Sequence, residues 1–360
     1  MNKLCRLILW TALPLLGSAC QSIEHFSIDY RVPAEVSFPT SFRRVGVVNN
    51  MSDVGSDSSQ VVRSADGEQR IFFVGKGALA AEALAQTLAR ANHFDEVIIC
   101  DSVLRMHDSI PRTQGLTAEE VTALTQELGA DFLIAVENIH ILTRRKVTHF
   151  PDVALYEGTV DALVSPTVRI YAPGRKVAMA TLHPVDSIYW DSTSPTLAAA
   201  MERLLSDQEV QKQASDFAGE MVVQSLLPYW KSAPRSFYIG NGVAMRDAAV
   251  CVHEADWDKA VELWKQSYRS KKPKTRMQAA FNIALGYEMQ DSIGTALEWA
   301  RKAQNLAKQI DKVDEKRSNE MKLDIQTLPN FIKTSAYVSE LEQRATLLPL
   351  LQMQTKGVSE

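Results

Sequence analysis

Apolar residues recur along the first half of the chain at two spacings, which predict strands and helices respectively. The run Arg44–Asn50 contains three valines and ends in two asparagines, a pattern that predicts a buried strand. Residues 78–91 place leucines and alanines on one face at helical spacing, which predicts an amphipathic helix. Apolar residues cluster again at Glu96–Cys100, where a second strand is predicted.

The connections between these elements carry turn and capping residues. Two short apolar runs flank the dipeptide Asp66–Gly67, which predicts a β-hairpin. Thr117, followed three residues later by Glu120, has the capping-box pattern with which a helix begins. That helix is predicted to continue through Leu128 and to end at Gly129.

Three apolar stretches and one long helical pattern complete this half of the chain. Alternating apolar residues predict strands over 131–142, 154–171 and 176–190, and helical spacing predicts a helix over 196–227. Strands and helices first alternate, and the strands then follow one another directly. We therefore expect an α/β domain with a mixed sheet over residues 41–235.

The chain becomes helical and repetitive over residues 236–325. Small and aromatic residues recur there, with Ala260 and Ala296 standing 36 positions apart. The tetratricopeptide repeat has a period of about 34 residues. The region resembles two tetratricopeptide repeats followed by a capping helix at 312–325, which implies an all-α fold. Residues 326–360 are predicted to be partly helical or flexible.

The first residues of the chain have the pattern of an export signal. Lys3 and Arg6 precede the apolar run Leu7–Leu16, and small residues then lead to Cys20. This order is typical of a secretory signal peptide, and the apolar run is too short to span a bilayer. A cysteine directly after small residues resembles the lipobox of bacterial lipoproteins, which implies removal of residues 1–19 and lipidation of Cys20. The alternative is an ordinary secretory signal that is cut nearby.

The residues that follow Cys20 bear on the final location. Gln21 stands where an aspartate would resemble an inner-membrane retention signal, and Gln21–Glu24 lacks the acidic cluster of surface-exported lipoproteins. The resemblance therefore implies an outer-membrane lipoprotein on the periplasmic face. Residues 20–40 contain two prolines and no clear period, which predicts a tether or an edge segment.

Composition and charge limit the classes of function. The 360 residues are 46% hydrophobic and 23% charged, which is typical of a globular protein with two domains. The formal net charge is -4 and becomes more negative when Lys3 and Arg6 are removed, so a basic nucleic-acid surface is not expected. Cys100 and Cys251 are predicted to be buried small side chains, with a disulfide bridge as the alternative.

Several segments of the α/β region resemble a known group of envelope proteins. They are Val45–Val48 ending in Asn49, Ala81–Arg90 followed by Phe94–Asp101, and Leu124–Ile134. These segments are similar to the TolB amino-terminal domain and to curli-secretion-type lipoproteins. With the lipobox and the repeats, the chain resembles a Bacteroides-group lipoprotein family in which a tetratricopeptide region follows a domain of unknown function. The resemblance implies a part in envelope assemblies and brings no catalytic residues.

One motif has the pattern of a nucleotide site. Gly75, Gly77 and Ala80 form G-x-G-x-x-A between an apolar run and a helix, and Asp101 ends the next strand. In a dinucleotide site the glycines allow the pyrophosphate to approach the helix N-terminus closely, and the acidic residue forms hydrogen bonds with the ribose hydroxyls. The export signal lacks twin arginines and an earlier strand precedes the motif, which both oppose this interpretation. Glycines that pack a helix against a sheet are the competing explanation.

Other enzyme signatures are absent from the sequence. It contains no G-x-S-x-G, no phosphate-binding loop and no H-E-x-x-H, and its seven histidines lack metal-ligand spacing. We therefore expect no metal, no cofactor and no catalytic residues. The expected function is a lipid-anchored, non-enzymatic module that binds a protein partner. The alternative is an envelope domain that binds a small molecule or nucleotide at the Gly75–Lys76–Gly77 turn.

Two sets of residues are candidates for partner binding and for modification. Repeat proteins bind partners on the face formed by the first helix of each pair, although that face can instead pack on residues 40–235. The candidate face consists of Met245, Ala249, His253, Phe281, Leu285 and Met289. Asp-Ser pairs before an apolar residue or threonine resemble O-glycosylation sites of Bacteroides-type exported proteins, with a turn or helix cap as the alternative. The candidate serines are Ser102, Ser109, Ser187, Ser192 and Ser292.

Overall fold

The chain folds into two compact units. The computed structural model describes residues 23–52, 60–63, 69–100, 104–105, 108, 114–240, 242–319 and 325–356. The predicted signal peptide, Cys20, Asp101, Ser102 and Ser109 lie outside the described residues. An α/β unit contains Arg31–Trp230 and Pro349–Glu360, and a helical unit contains Met1–Tyr30 and Lys231–Leu348. An α/β region followed by an all-helical region is thus confirmed.

Strands and helices alternate in the first part of the chain and are then joined by a run of strands. In chain order the elements are β1 (Ile23–Val32), β2 (Arg44–Asn49), β3 (Gln60–Arg63), β4 (Gln69–Val74), α1 (Gly77–Ala91), β5 (Glu96–Ile99), α2 (Ala118–Leu128), β6 (Phe132–Phe150), β7 (Leu155–Tyr171), β8 (Ala180–Leu182), β9 (Asp186–Ser194), α3 (Leu197–Glu202), α4 (Asp207–Leu226) and β10 (Tyr229–Tyr238). The antiparallel pairing of β3 with β4 and the capping box of Thr117 and Glu120 are confirmed, and the predicted Asp66–Gly67 turn lies outside the described residues.

The large sheet is mixed because β6 changes partners along its length. Strand β2 lies between β5 and β6 and pairs with both in parallel. Beyond a bulge between Val136 and Asn138, the same edge of β6 pairs with β4 in antiparallel orientation, while its other edge pairs with β7 throughout. Strands β8 and β9 then pair with β7. The bulge therefore lies where the parallel and antiparallel parts of the sheet meet.

Helices α1 and α4 cover the inner face of this sheet and touch each other closely. The buried side of α1 consists mainly of alanine and leucine, as the helical spacing predicts. At the crossing point, a Cβ atom on Gly219 of α4 would lie 2.1 Å from the carbonyl oxygen of Ala80 and 2.8 Å from the amide nitrogen of Leu84. Only glycine allows the two backbones to approach this closely.

Replacing Gly219 with alanine is therefore expected to destabilise the α/β unit. The added methyl group meets a backbone carbonyl that has no rotamer to change, and overpacking of this kind costs about 1–3 kcal/mol. The higher helix propensity of alanine recovers at most about 1 kcal/mol. Urea denaturation should show a lower free energy of unfolding for Gly219→Ala. The control Gly294→Ala should show no such loss, because a Cβ atom at Gly294 would have no heavy atom within 4 Å. Equal stabilities of the two variants would contradict this packing argument.

Several element boundaries differ from the predictions for local reasons. The stretch predicted as one helix over 196–227 forms two, because the Ser206 hydroxyl accepts a hydrogen bond from the amide of Glu209 and begins α4. The strand predicted over 176–190 forms β8 and β9, separated by Pro184, which has no amide hydrogen for a ladder. Strand β6 runs eight residues beyond the predicted end at Leu142, since β7 pairs with it to Phe150.

The segment predicted as a tether contains a strand. Strand β1 pairs with β10 in a two-stranded sheet, and β10 was absent from the predicted elements. Phe26 of β1 stacks on Trp257 with ring centroids 6.1 Å apart, and Phe237 of β10 is buried in the helical core. The strand forms because a partner far along the chain supplies the hydrogen bonds, which no local pattern reveals.

The helical unit is built from successive helices around one buried helix. The helices are α5 (Val243–His253), α6 (Trp257–Tyr268), α7 (Pro273–Met289), α8 (Ile293–Ile310), α9 (Val313–Asn319) and α10 (Pro329–Lys356). Helix α7 is buried on nearly all sides, and a Cβ atom on its Gly286 would lie 2.3 Å from Val261. None of the helices in the described part of the chain is both long and apolar enough to cross a membrane.

The last helix was only partly anticipated. Residues 326–360 were expected to be partly helical or flexible, and α10 is a helix of 28 residues with Pro349 inside it. Its Tyr337, Val338 and Leu341 are buried in the helical core, so α10 contributes more of that core than the short α9 at the predicted capping position. Near its end, within the α/β unit, the Gln354 amide donates to the carbonyl oxygen of Ala34 at 3.0 Å.

Candidate functional site

The glycine turn before α1 is packed inside the α/β unit. The amide of Gly75 donates to the carbonyl oxygen of Ile139 at 2.9 Å, and the amide of Lys76 donates to the Ser215 hydroxyl at 2.8 Å. A Cβ atom on Gly77 would lie 2.2 Å from Oδ1 of Asn49. In a dinucleotide site such amides point at a pyrophosphate. Here Gly77 allows close packing of α1 against the end of β2, and Gly75 allows the turn to pack against Ile139 of β6.

A buried polar network lies beside the bulge of β6. The Asn50 amide donates to Glu137 at 2.7 Å, and the Tyr171 hydroxyl donates to the other carboxylate oxygen of Glu137 at 2.6 Å. Nε of Arg105 donates to Oδ1 of Asn50 at 2.7 Å, and its guanidinium also bonds Glu120 of the capping box. The network joins β2, β6 and β7 to the start of α2.

The environment of Tyr171 keeps its hydroxyl group protonated. Burial, together with the hydrogen bond to Glu137 and the charge of that carboxylate, raises the pKa of Tyr171 to about 12. The phenol is therefore a hydrogen-bond donor throughout the physiological pH range. Sequence reasoning missed the network because Asn50 and Glu137 are 87 positions apart and neither belongs to a recognisable motif. The polar groups of the network form hydrogen bonds with one another, so the network is better suited to stabilising the fold than to binding a reacting molecule.

The predicted repeat face is largely core. Met245, Ala249, Phe281 and Leu285 are buried in the helical unit. The ring of Phe281 lies between Tyr238 of β10 and Tyr337 of α10, with centroid distances of 5.4 and 4.9 Å. These covering segments were not predicted, so the face is occupied by the chain itself rather than open to a partner.

The other two candidates on that face are more accessible. His253 is exposed, and its Nε2 lies 3.1 Å from the Glu24 carboxylate of β1. Met289 is half-buried at the edge of the helical core. The two side chains alone do not form a continuous surface.

The helical unit contains a buried ionic centre around Glu288, whose side chain is fully buried. Arg235 of β10 donates to both carboxylate oxygens of Glu288, at 2.9 and 2.8 Å. The Tyr337 hydroxyl donates to the same carboxylate at 2.7 Å, and Arg344 of α10 also donates to it. A second carboxylate, Glu340, accepts from Arg235 at 2.6 Å. The centre therefore ties β10, α7 and α10 together.

The outer face of the antiparallel part of the sheet carries exposed apolar side chains. Phe72 of β4 pairs with Leu142 of β6, which pairs with Leu163 of β7, so the three form a row across adjacent strands. Phe72 is 44% exposed and Leu163 is 43% exposed. Tyr189 of β9, which is 69% exposed, pairs with Asp161 in the next row. We call Phe72, Leu142, Leu163 and Tyr189 the sheet-face row.

The candidate modification sites that the structure describes occupy different surroundings. Ser187 of β9 is exposed and pairs with Leu163, so a glycan there would stand beside the sheet-face row. Ser192 is half-buried in β9, and Ser292 is half-buried at the start of α8. Cys100 and Cys251 are both free thiols, and Cys251 is buried in the helical core.

The comparisons with known proteins place the chain among families without an assigned role. A family model described as a domain of unknown function, DUF8603, matches residues 42–238, which is more than half of the chain. The chain belongs to the DUF8603 family. The DUF8603 region includes the large sheet, the buried polar network, the sheet-face row and strand β10.

A second match follows the DUF8603 region. A model described as a domain of unknown function, DUF6340, matches residues 246–343. Glu288 and Glu340 lie within this match, whereas their partner Arg235 lies within the DUF8603 match. The ionic centre thus joins residues from the two matched regions. No curated protein matches the chain.

Proposed function

We propose that this protein is a lipid-anchored cell-envelope protein on the periplasmic face of the outer membrane. It acts as a non-enzymatic module that binds a protein partner. The order Lys3, Arg6, Leu7–Leu16 and Cys20 supports the anchor, because it has the pattern of a lipoprotein signal. Several acyl chains attach a protein stably to a membrane, whereas a single chain does not. The α/β unit is TolB-amino-domain-like in this proposal, and the pairs α5–α6 and α7–α8 are tetratricopeptide-like repeats.

The sheet-face row is the observation that carries the interaction part of the proposal. Along β7, the even-numbered residues from Gly158 to Ile170 are buried, and the odd-numbered ones face outward. On the outward face an alternating strand normally presents polar residues. Leucine, phenylalanine and tyrosine on neighbouring strands depart from that pattern, and contiguous exposed apolar side chains mark interaction surfaces.

The surroundings of the row indicate the kind of partner. Arg144 and Asp161 form an ion pair of 3.5 Å beside it, and both side chains are about half exposed. Apolar side chains with charged groups at the margin have the layout of a protein–protein interface, with a dry centre and a polar rim. The partner is therefore a folded envelope protein with an apolar patch, rather than a nucleic acid or a phosphorylated ligand.

Photo-crosslinking tests this assignment directly. A photoreactive phenylalanine analogue at Tyr189 is expected to capture one defined protein in native cells, identified by mass spectrometry. The same analogue at Val177 is the control, because Val177 is 75% exposed in the same unit but lies in the loop between β7 and β8. Leu163→Asp in the Tyr189-labelled protein should reduce that crosslink about tenfold, the effect of losing about 1.4 kcal/mol of binding. Equal crosslinking at the two positions, or no effect of Leu163→Asp, would contradict the proposed surface.

A further inference from the structure

We propose that a cavity beside Lys333 in the helical unit binds a small carboxylate that is joined to an apolar or aromatic group. This site is separate from the sheet-face row and lies entirely within the helical unit. The inference does not depend on the proposed function, since neither the lipid anchor nor the sheet-face row contributes to the cavity.

The cavity has the size of a small organic acid. Its volume is about 260 Å³. Drug-sized pockets span about 300–1,000 Å³, so this one suits a smaller ligand. Its walls come from β1, β10, α7 and α10, and they are His25, Pro234, Arg235, Ser236, Phe281, Lys333, Ala336, Tyr337 and Glu340.

The cation of Lys333 is the decisive feature. Its Nζ lies 4.6 Å from the ring centroid of Tyr238 and 5.3 Å from that of Phe281. Within the described residues, the structure gives Lys333 no ion pair and no hydrogen bond to an acceptor. Lys333 is half-buried, and this burial lowers its pKa because it disfavours the charged ammonium. Aromatic faces compensate only part of that cost.

The two arginines near the cavity differ from Lys333 in having carboxylate partners. Arg235 is already engaged by Glu288 and Glu340, and Arg344 is engaged by Glu288. Arg344 also lies 4.0 Å from Asp291, so both arginines have carboxylate partners, whereas Lys333 of the cavity wall has no ion pair among the described residues. A single negative charge would give Lys333 an ion-pair partner, whereas the second charge of a dianion would add repulsion from Glu340. A monocarboxylate therefore fits better than a phosphate.

The rest of the wall suits an apolar body. Pro234, Phe281, Ala336 and Tyr337 form the apolar part of the wall, and Phe281 and Tyr337 are in ring contact at 4.9 Å. A ligand with its carboxylate at Lys333 would lay a phenyl or short alkyl group on these side chains, and burying such a group provides most of the affinity. Such a carboxylate comes from a free organic acid or from the C-terminus of a polypeptide.

Calorimetric titration of the whole protein tests the site with 3-phenylpropionate as the probe. We expect saturable binding with a dissociation constant on the order of 1 mM or tighter. The neutral isostere 3-phenylpropanamide should bind at least about tenfold more weakly, and inorganic phosphate should not compete. A tripeptide that ends in phenylalanine, with its C-terminus free or amidated, distinguishes the two sources of the carboxylate. Tight binding of the tripeptide with a free C-terminus indicates that the ligand is a polypeptide C-terminus. Binding of 3-phenylpropionate alone indicates that the ligand is a free organic acid.

Variants decide whether Lys333 and the cavity carry the binding. Lys333→Met keeps the apolar stem and should weaken binding of 3-phenylpropionate at least about tenfold. Lys302→Met is the matched control, because Nζ of Lys302 lies 4.0 Å from the Trp299 ring centroid on an exposed part of α8, and it should bind as the natural protein does. Ala336→Trp fills the cavity without changing its charge and should also abolish binding.

Three results would overturn the proposal. One is equal affinity for the acid and its amide, and another is undiminished binding by Lys333→Met or Ala336→Trp. The third is the lack of saturable heat with the natural protein at concentrations well above about 1 mM. Thermal unfolding of each variant is measured alongside, so that loss of binding by a folded protein is separated from loss of the fold.

Discussion

Replacing Glu288 with glutamine is expected to lower the free energy of unfolding of the helical unit by about 3–5 kcal/mol. The carboxylate is fully buried and accepts hydrogen bonds from Arg235, Arg344 and Tyr337. Glutamine removes the negative charge and leaves the buried guanidinium of Arg235 and the partly buried one of Arg344 facing a neutral amide. Loss of one partner from a buried ion pair is far more costly than loss of a pair at the surface.

Hydrogen exchange of peptides from α7 provides the measurement, because it reports the opening free energy of this unit separately from the α/β unit. The control is Glu342→Gln, which removes the partner of Arg301 in an ion pair where both side chains are about half exposed. That change should cost about 0–1 kcal/mol. If Glu288→Gln and Glu342→Gln had equal effects, the ionic centre would not stabilise the unit.

The same centre predicts the acid sensitivity of the helical unit. Burial alone would raise the pKa of Glu288, but the hydrogen bond and charge of Arg235, with Tyr337 and Arg344, lower it below its ordinary value of 4.5. A lowered pKa adds stability that is fully present above pH 4.5 and is lost as the pH falls through the lower folded-state value. Exchange of α7 should therefore accelerate on acidification below pH 4.5, and this component should be absent from Glu288→Gln.

Under the proposed lipid anchor, replacing Cys20 with serine is expected to abolish lipidation of the protein. The thiol is the only group at that position able to form the thioether of a lipoprotein, and its loss removes the stable membrane attachment that several acyl chains give. Metabolic labelling with an alkyne fatty acid should mark the natural chain and not Cys20→Ser. A variant with an ordinary secretory signal would begin at Gln21 after export and would carry no lipid. In detergent phase separation this variant should enter the aqueous phase.

Cys100→Ser is the matched control for lipidation. Cys100 is a half-buried free thiol of the α/β unit, and its replacement should leave fatty-acid labelling unchanged. Labelling that persisted in Cys20→Ser, or an unlabelled natural chain with a mass lacking any acyl increment, would point to the alternative of an ordinary secretory signal.

Local sequence was sufficient for most single elements of the α/β unit. The start of α2 depends on Thr117 and Glu120, three residues apart, and the structure shows their reciprocal capping bonds. The buried side of α1 follows the helical spacing of its leucines and alanines. Such features depend on neighbours within one turn of the chain, so a pattern of a few residues contains them.

The candidate sites were harder to predict because they depend on distant segments. Arg235, Glu288 and Arg344 stand more than 50 positions apart, and none belongs to a motif that indicates an ionic centre. The lysine of the cavity, Lys333, lies in a segment where the sequence indicated only partial helix. The sheet-face row crosses β4, β6, β7 and β9, whose register is set by pairing rather than by local spacing.

The kinds and order of the elements thus follow from the chain's local patterns, since caps, turns and apolar periods act over a few residues. Which apolar faces of the helical unit are covered by other segments was decided by the tertiary structure. Phe281 and Leu285 have the spacing of an open repeat face, yet Phe281 is covered by residues from β10 and α10. The burial of a residue depends on segments that are distant in sequence and meet only in the folded chain. Bringing such segments together costs loop-closure entropy, and a pattern of a few residues does not indicate whether they meet.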